Sequence, residues 1–259
     1  MIATVRQRVT SLGELVLLFA QAVRGAVKRP FYWQELVEQC RTILLANFIP
    51  LLLVGIGWGT IVALEAGNFF KASSAERQLG GFMVMANVRE FAPVATALMI
   101  AAVSGTAITA DLGARQVRQE LEALSVMGLS NVLFVVTPRA LSMMIMTALY
   151  NLPMIIFTTL GGYLVGVYVV GVNPGAFMST FWSQGTLVDL FGGELKCILF
   201  GGLVSAICTY KGLTAKGGAE GVARAVHSGV VWCFVSIQGF EYLYTPTILA
   251  LYHNQNVLR

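Results

Sequence analysis

Charged residues are scarce in this chain of 259 amino acids, where they make up 12% against 56% hydrophobic residues. A soluble domain usually carries about 25% charged residues. This shortage, with a mean hydropathy of +0.73, excludes a disordered chain, a nucleic-acid binder with a basic surface and almost any water-soluble fold of this size. The composition is typical of a polytopic helical membrane protein, so the net charge of +4 bears on orientation in the bilayer.

Cysteine and histidine are also scarce, and their spacing indicates no metal or catalytic site. The four cysteines form no C-x-x-C pair, and His227 and His253 are isolated. Neither G-x-S-x-G nor H-E-x-x-H occurs, and the glycine-rich residues 212–218 lack the Gly-Lys-Ser/Thr of a phosphate loop. We therefore predict that this chain is not an enzyme and binds no cofactor. If it is an active pump, a partner must hydrolyse the ATP.

Hydropathy predicts an all-α fold with five membrane spans, since a span needs roughly 20 apolar residues. The predicted spans cover residues 42–64, 91–110, 140–171, 189–210 and 225–251. Residues 176–188 are too short and too polar to cross, and they predict an interfacial segment after a turn at 172–175. In the first span Gly55 and Gly59 form a G-x-x-x-G spacing, which allows close helix approach.

The basic residues give a second test of this count. With five spans and a cytoplasmic N-terminus, only Lys71, Arg77 and Arg259 fall outside. The bases on the cytoplasmic side are then Arg6, Arg8, Arg24, Lys28, Arg29, Arg41, Arg115, Arg118, Arg139, Lys211, Lys216 and Arg224. This is a strong positive-inside bias, and counting residues 176–188 as a sixth span would weaken it.

The first residues predict an amphipathic helix rather than a cleavable signal peptide. Between residues 9 and 27 the apolar side chains fall on one helical face, and polar residues interrupt the run. The pattern indicates a helix in the membrane interface, with Arg24, Lys28 and Arg29 at the headgroups; it is also typical of a soluble amphipathic helix. We predict one domain over residues 1–259, with this helix in 1–29 and the transmembrane region in 30–251.

Charged residues at membrane depth are the first candidate site. Placing a charge in a span costs about 2.5–3.5 kcal/mol, so such residues are candidates for function by default. They are Arg89, Glu90, Asp189, Glu194, Lys196 and Glu241. Asp189 and Lys196 are seven residues apart and share a helical face, and we predict that they pair. Two interpretations stay open: structural ion pairs that fix helix packing, and a polar patch that lines a substrate cavity.

The second candidate is a charged cytoplasmic segment between the second and third spans, predicted as one amphipathic helix over residues 112–128. Its apolar stripe is Val117, Leu121 and Leu124, and Gly128 is a plausible C-cap. The residues predicted to couple to an ATPase are Arg115, Arg118, Gln119, Glu120, Glu122 and Leu124. Such a helix suits docking into a groove of a soluble partner, although the pattern also fits a solvated connector.

Several blocks of the sequence resemble the MlaE/YrbE permease family of lipid-transporting ABC systems. They are Arg89-Glu90-Phe-Ala-Pro93, Ser104-Gly-Thr-Ala-Ile-Thr-Ala-Asp111-Leu-Gly-Ala114, Gln119-Glu120-Leu-Glu122-Ala123-Leu124 and Met127-Gly128. Three further blocks resemble the A-type YrbE permeases of actinobacterial Mce systems: Pro30-Phe-Tyr-Trp-Gln-Glu35, Ala110-Asp-Leu-Gly-Ala-Arg115 and Tyr210-Lys-Gly-Leu-Thr-Ala-Lys-Gly-Gly218. Gln119 stands where the family usually has glutamate, and Glu122 where it has aspartate.

The resemblance implies the permease subunit of an ABC-type lipid transporter. It implies a multi-pass protein of the cytoplasmic (inner) membrane that moves fatty acids, sterols or related lipids inward, which is the family's usual direction. The implied partners are a second, non-identical B-type YrbE permease, a dimeric ABC ATPase that uses ATP and Mg²⁺, and an Mce-protein hexamer; no nucleic acid is implied. The main alternative is a non-transporting membrane scaffold or anchor for an extracytoplasmic lipid-binding complex.

Overall fold

A computed structural model of the chain describes residues 2–28 and 31–251. Every regular element within these ranges is helical. The α-helices are α1 (Ile2–Gly25), α2 (Trp33–Ala72), α3 (Leu79–Met83), α4 (Ala92–Ile100), α5 (Thr106–Val117), α6 (Glu120–Val126), α7 (Thr137–Val165), α8 (Pro174–Gln184), α9 (Leu187–Leu213) and α10 (Gly218–Leu251). π-Helical turns at Val84–Phe91, Ala101–Gly105, Val132–Val136 and Gly166–Val170 join or extend several of them. The predicted all-α class is confirmed; Arg29, Pro30 and Arg259 lie outside the described residues.

Four helical segments are long and apolar enough to cross a membrane. They are Trp33–Ala72, Glu76–Val117, Val132–Val170 and Leu187–Leu213, and they contain the first four predicted spans. The predicted fifth span lies in α10, whose 34 residues are long enough but include Gln238, Glu241 and Thr245. These polar residues lower its hydropathy, so α10 is not among the four, and the count of five stays a prediction.

By residue contacts the chain divides into two compact units, and the helices α2, α7, α9 and α10 each contribute a part to both. The first unit contains the residues up to Asn47, Leu98–Met146 and Leu199–Gln238. The second contains Phe48–Ala97, Thr147–Ile198 and the residues from Gly239 onward.

In the first unit, α1 packs against other helices of that unit through small residues. Ala22 is buried in a cluster with Val136 and Ala140 of the α7 region. A Cβ built on Gly202 of α9 would stand 2.9 Å from the Phe19 ring, so the missing side chain makes room for that ring. The amphipathic helix is thus present, and its location in the membrane interface stays a prediction.

In the second unit, α2 and α7 approach closely at glycines, as the G-x-x-x-G spacing predicted. A Cβ on Gly59 would collide with the Thr158 main-chain carbonyl, and one on Gly161 with that of Ile56. Gly55 makes room for Phe157 in the same way. Small residues let helix backbones come into contact. In a bilayer the hydrophobic effect does not drive helices together, so such packing contacts stabilise the pair instead.

Also in the second unit, the polar segment after the turn at 172–175 forms the short helix α8. Asn173 caps it, because its side-chain oxygen accepts hydrogen bonds from the N–H groups of Gly175 (2.9 Å) and Ala176 (3.2 Å). Eleven residues of helix span only about 16 Å, against a hydrocarbon core of about 30 Å. The segment is therefore too short to cross, in line with the prediction.

The predicted helix over residues 112–128 is two helices in the structure. α5 ends at Val117, and a turn at Arg118 and Gln119 precedes α6. Gln119 has a positive φ of 60° in the left-handed region, which an α-helix cannot continue through. Gly128, with φ 79°, follows the last turn of α6 at the position where a glycine commonly ends a helix.

Candidate functional site

In the second unit, the ammonium group of Lys196 lies at the centre of a buried polar cluster. Its side chain is 2% exposed and lies on α9. Nζ donates to Glu241 Oε1 at 2.6 Å and to Glu90 Oε2 at 3.1 Å, and it lies 3.3 Å from Thr245 Oγ1. A buried lysine needs such partners, because an unpaired cation in a low-dielectric site is costly.

A fourth partner of Lys196 is the main-chain carbonyl of Arg89, at 3.1 Å. In an α-helix this carbonyl would accept a hydrogen bond from the residue four positions later, which is Pro93. Proline has no N–H to donate. Arg89 itself lies in the π-helical turn Val84–Phe91, in which a carbonyl bonds the residue five positions later. Lys196 donates to this carbonyl, so the Arg-Glu-Phe-Ala-Pro block binds the ammonium group through both its backbone and the Glu90 side chain.

Arg89 itself pairs with Asp189 at the start of α9. The contacts are Nε to Oδ1 at 2.7 Å and Nη2 to Oδ2 at 3.2 Å, and both side chains are mostly buried. Asp189 Oδ2 also accepts from the N–H of Thr186 (3.1 Å), whose Oγ1 accepts from the N–H of Asp189 (3.3 Å). This reciprocal capping box holds the carboxylate in place for Arg89.

These contacts correct the predicted pairing of Asp189 with Lys196. Both bases have acidic neighbours, but Asp189 pairs with Arg89, and Lys196 pairs with Glu90 and Glu241. Seven residues of helix separate two side chains by about 10.5 Å along the axis, which is too far for an ion pair. A shared face therefore did not imply a contact.

Glu194 does not join the Lys196 cluster. Its Oε1 accepts a hydrogen bond from the Asn151 side chain at 3.0 Å. Thr245 and Thr186 were missed, although the sequence carries a signal for each. Thr245 follows Glu241 by one helical turn and bonds it at 3.0 Å, and the Thr-x-x-Asp pattern at 186–189 is that of a capping box.

The polar cluster lines an open cleft of the second unit. Arg89, Glu90, Asp189 and Lys196 form its charged part, and Val188 and Ile248 contribute apolar surface. Three carboxylates, counting Glu241, surround two bases, so the cluster carries a formal charge of −1 when all five groups are ionised. The arrangement offers hydrogen-bonding and charged groups beside apolar walls, which suits the polar head of an amphiphile.

In the first unit, the segment predicted to couple to an ATPase exposes its charged groups. Arg118 pairs with Glu120 at 2.6 Å, and both side chains are about half exposed or more. Gln119 and Glu122 are also exposed. Leu121, by contrast, is 3% exposed and packs inward. The predicted apolar stripe is therefore not available as a whole, since its middle residue is buried within the chain.

The most exposed apolar residues of this segment lie outside the predicted stripe, of which Val117 is 39% exposed. Val126 is 88% exposed and Met127 is 66% exposed, at the end of α6. They lie beside Glu122 in the chain, so a partner that meets α6 would find both carboxylates and apolar surface. Leu124 is half-buried and adds less apolar surface to this contact than Val126 and Met127.

Arg115 lies apart from this exposed surface, in a second ion-pair group of the first unit. Its Nε donates to Asp111 Oδ1 at 3.0 Å. Asp111 Oδ2 accepts from Nη2 of Arg139 at 2.8 Å. Arg139, 3% exposed, also donates to the Val135 carbonyl at 3.0 Å and lies 3.9 Å from Glu35. Asp111 and Arg139 were not among the predicted site residues.

Comparison with known proteins places this architecture in a family. A sequence model of the permease MlaE matches residues 36–247. A probable ABC transporter permease protein of Rickettsia bellii is 28% identical over 238 residues, which cover 91% of each chain. The intermembrane phospholipid transport system permease protein MlaE of Haemophilus influenzae is 27% identical over 240 residues, 91% of this chain and 90% of the relative.

A plant relative extends the comparison beyond bacteria. The chloroplastic protein TRIGALACTOSYLDIACYLGLYCEROL 1 of Arabidopsis thaliana is 26% identical over 223 residues, which cover 85% of this chain and 63% of that protein. The match to the MlaE model covers the four apolar helices except the first three residues of the first helix, and both ion-pair groups except Glu35. The chain therefore belongs to the MlaE permease family, whose members are permease subunits of ABC transporters, and it is a multi-pass membrane protein.

Proposed function

We propose that this chain is the transmembrane permease subunit of an ABC-type lipid transporter of the cytoplasmic membrane. The observation that carries the proposal is the family match over residues 36–247. The Haemophilus influenzae relative, named for intermembrane phospholipid transport, supports a lipid as the substrate. An amphipathic cleft beside a buried charge cluster fits the same class of substrate.

Within this class, the sequence blocks that resemble A-type YrbE permeases favour an Mce system as the setting. The substrates would then be fatty acids, sterols or related lipids, moved inward. The partners would be a B-type YrbE permease and an Mce-protein hexamer. A phospholipid is the competing substrate, and the lipids that copurify with the complex decide between the two.

The energy for transport is proposed to come from a separate dimeric ATPase, which uses ATP and Mg²⁺. The exposed carboxylates Glu120 and Glu122 and the exposed Val126 and Met127 form the surface that would meet it. A two-residue turn connects α6 to α5. A displacement of α6 by the ATPase would therefore move α5, which belongs to the apolar helical segment Glu76–Val117. This chain itself would bind no nucleotide.

The proposed topology has five spans, with α10 as the fifth. The N-terminus is cytoplasmic, α1 lies in the membrane interface and the C-terminus is outside. The free-energy cost of placing the polar residues of α10 in the membrane is lowered by their contacts, because Glu241 and Thr245 are hydrogen-bonded to Lys196 and to each other. A polar residue that is paired within the protein is tolerated where a lipid-facing one is not.

The charge cluster is proposed to hold α9, α10 and the Val84–Phe91 turn in register and to bias the cleft between open and closed states. Its groups bond mainly to one another, so only those on the cleft side would touch lipid. Glu90, with its side chain 38% exposed, and Arg89 are the groups placed to do so.

Reconstitution separates a transporter from a scaffold. The complex would be purified with its ATPase and placed in liposomes that contain a fluorescent phospholipid or fatty acid on one side. ATP-dependent movement of the lipid, lost with an ATPase that binds but does not hydrolyse ATP, is the expected result. An assembled complex that hydrolyses ATP and moves neither lipid would contradict the proposal.

A further inference from the structure

The first unit contains a groove that the proposed transport cleft does not use. Its walls are apolar and come from α2, α5 and the π-helical turn before α5. The residues of these walls are Ile43, Ala46, Val103, Ala107 and Ile108. Asp111, Arg115 and Arg139 form one end of the groove, and Gln39 and Thr42 add polar groups.

The charged end of the groove carries two guanidinium groups and one carboxylate, that of Asp111. Glu35 lies 3.9 Å from Arg139, so the ion-pair group is formally neutral, and Arg115 is its more exposed cation. Arg139 is held by the Val135 carbonyl and by Asp111. Arg115 gives its Nε to Asp111, and its side chain is 34% exposed. A guanidinium carries five N–H donors, so Arg115 has donors left that face the groove.

The groove has the dimensions of one lipid chain. From Val103 to Arg115 the helix rises by twelve residues, or about 18 Å. Half of a hydrocarbon core is about 15 Å thick. Arg115 follows the uncharged stretch 91–110 in the sequence, so the charged end lies at headgroup level and the apolar walls extend toward the middle of the bilayer.

We infer that this groove binds an amphiphile with an anionic head, its phosphate or carboxylate at Arg115 and one acyl chain along the apolar walls. The inference rests on the proposed lipid transport and adds a second lipid site to it, separate from the cleft at Lys196. Guanidinium groups bind phosphate and carboxylate by paired N–H donors. Under this inference Arg115 contacts lipid rather than the ATPase.

Site-specific photocrosslinking tests the inference. A photoreactive phenylalanine analogue would replace Val103 in the groove, and Leu45 in a matched control. Leu45 neighbours Ala46 on α2, is 69% exposed and does not line the groove. The complex would be incubated with radiolabelled phosphatidylglycerol, palmitate or diacylglycerol, which has the acyl chains without a charged head. At Val103 we expect at least fivefold more labelling with one of the two anionic lipids than with diacylglycerol, and at Leu45 no preference.

The two anionic probes distinguish a phosphate head from a carboxylate head, and variants test the roles of the residues. Arg115→Gln should reduce labelling at Val103 at least fivefold and leave Leu45 unchanged, whereas Arg115→Lys should keep part of it. Ala107→Trp fills the groove and keeps Arg115, and it should reduce labelling at Val103 as much as Arg115→Gln does. Copurification of the ATPase is measured for each variant and should be unchanged.

Three results would overturn the inference: equal labelling at Val103 and Leu45, no preference for an anionic head, or labelling that survives both Arg115→Gln and Ala107→Trp. If the complex transports lipid but gives any of these results, the proposed transport function stands and the second lipid site is rejected. If labelling at Val103 is preferential but the complex moves no lipid, the second site stands and the transport function is rejected.

Discussion

Lys196 Nζ donates to the main-chain carbonyl of Arg89 at 3.1 Å, within the π-helical turn Val84–Phe91. The contact joins α9 to the turn that carries Glu90, the same residue whose carboxylate Lys196 binds. One ammonium group therefore satisfies a backbone acceptor and two carboxylates. Removal of this group leaves all three without their shared donor.

The first prediction concerns that removal. Lys196→Met should destabilise the chain by about 3–5 kcal/mol, because it leaves buried carboxylates without a counter-charge. Complex yield and lipid transport should both fall. Lys196→Arg should lose less yield, since it keeps the charge, although its planar head cannot match the ammonium contacts. Purified yield, thermal stability and ATP-dependent lipid transport are the measurements.

Double variants identify the partner of Lys196. Glu241→Gln should restore much of the yield lost in Lys196→Met, because it neutralises the more buried of the two carboxylates; the Glu241 side chain is 18% exposed and that of Glu90 is 38% exposed. Asp189→Asn should restore nothing, since Asp189 belongs to Arg89. Equal rescue by the two substitutions, or unchanged transport in Lys196→Met, would disprove the assignment.

The second prediction concerns the contact between α2 and α7. Gly59→Ala should destabilise the chain by about 1–3 kcal/mol, as overpacked sites do, because its Cβ would collide with the Thr158 carbonyl. Gly57→Ala is the matched control on the same helix, since nothing lies within 4 Å of a Cβ at that position. Thermal unfolding of the purified chain in detergent measures both.

The control variant, Gly57→Ala, also has an expected effect on stability. Alanine is favoured over glycine in a helix by about 1 kcal/mol, so Gly57→Ala should leave the melting temperature unchanged or raise it. If Gly59→Ala is tolerated as well as Gly57→Ala, the two helices do not meet at Gly59.

These glycines also indicate what the sequence could and could not predict. The G-x-x-x-G spacing, the turn at 172–175 and the first four spans could be predicted, because spacing and hydropathy are local properties of one helix. The partners of Lys196 could not. They lie 45 and 106 residues away in the chain, and a shared helical face only says which side chains point the same way.

The break in the coupling segment was hidden for a related reason. Val117, Leu121 and Leu124 follow helical spacing, but the positive φ of Gln119 divides them between two helices. Glutamine carries no sequence signal for that conformation, unlike glycine at 128, which was expected to end a helix. Pairing of Asp111 with Arg139, 28 residues later, likewise depends on tertiary contact.

The third prediction concerns docking of the ATPase at α6. Glu122→Lys reverses an exposed charge beside Val126 and Met127. If the contact is desolvated, the substitution should weaken association by about 1–3 kcal/mol, which is roughly a 5- to 150-fold rise in Kd. Copurification with the ATPase at increasing salt and coupled ATP hydrolysis are the measurements, and Glu122→Gln should have a smaller effect.

Glu220→Lys is the charge-matched control for this prediction. Glu220 is exposed in the first turn of α10 and pairs with Arg224, so its reversal changes net charge equally. We expect ATPase copurification close to wild type. Loss of copurification in both variants would indicate a general charge effect, and full retention in Glu122→Lys would exclude α6 as the docking helix.

The last prediction concerns topology. In a background without the four native cysteines, a cysteine placed at the exposed Ser73 should react with an impermeant thiol reagent added outside intact cells. One at the exposed Ala219 should react only after the membrane is opened. Ser73 follows α2 and Ala219 lies at the start of α10, so the proposed five-span topology puts them on opposite sides.

A third position tests α10 itself, the predicted fifth span that is not among the four apolar helices. A cysteine at the described residue Ala250, near the end of α10, should react from outside if α10 crosses. Its reaction from the same side as Ala219 would reduce the count to four spans and place the polar end of α10 on the cytoplasmic side. Lys196 lies fifteen residues, or about 22 Å along α9, before Lys211, which the topology puts on the cytoplasmic side. Because Glu241 and Thr245 bond Lys196, that result would contradict the contacts of the Lys196 cluster as well as the span count.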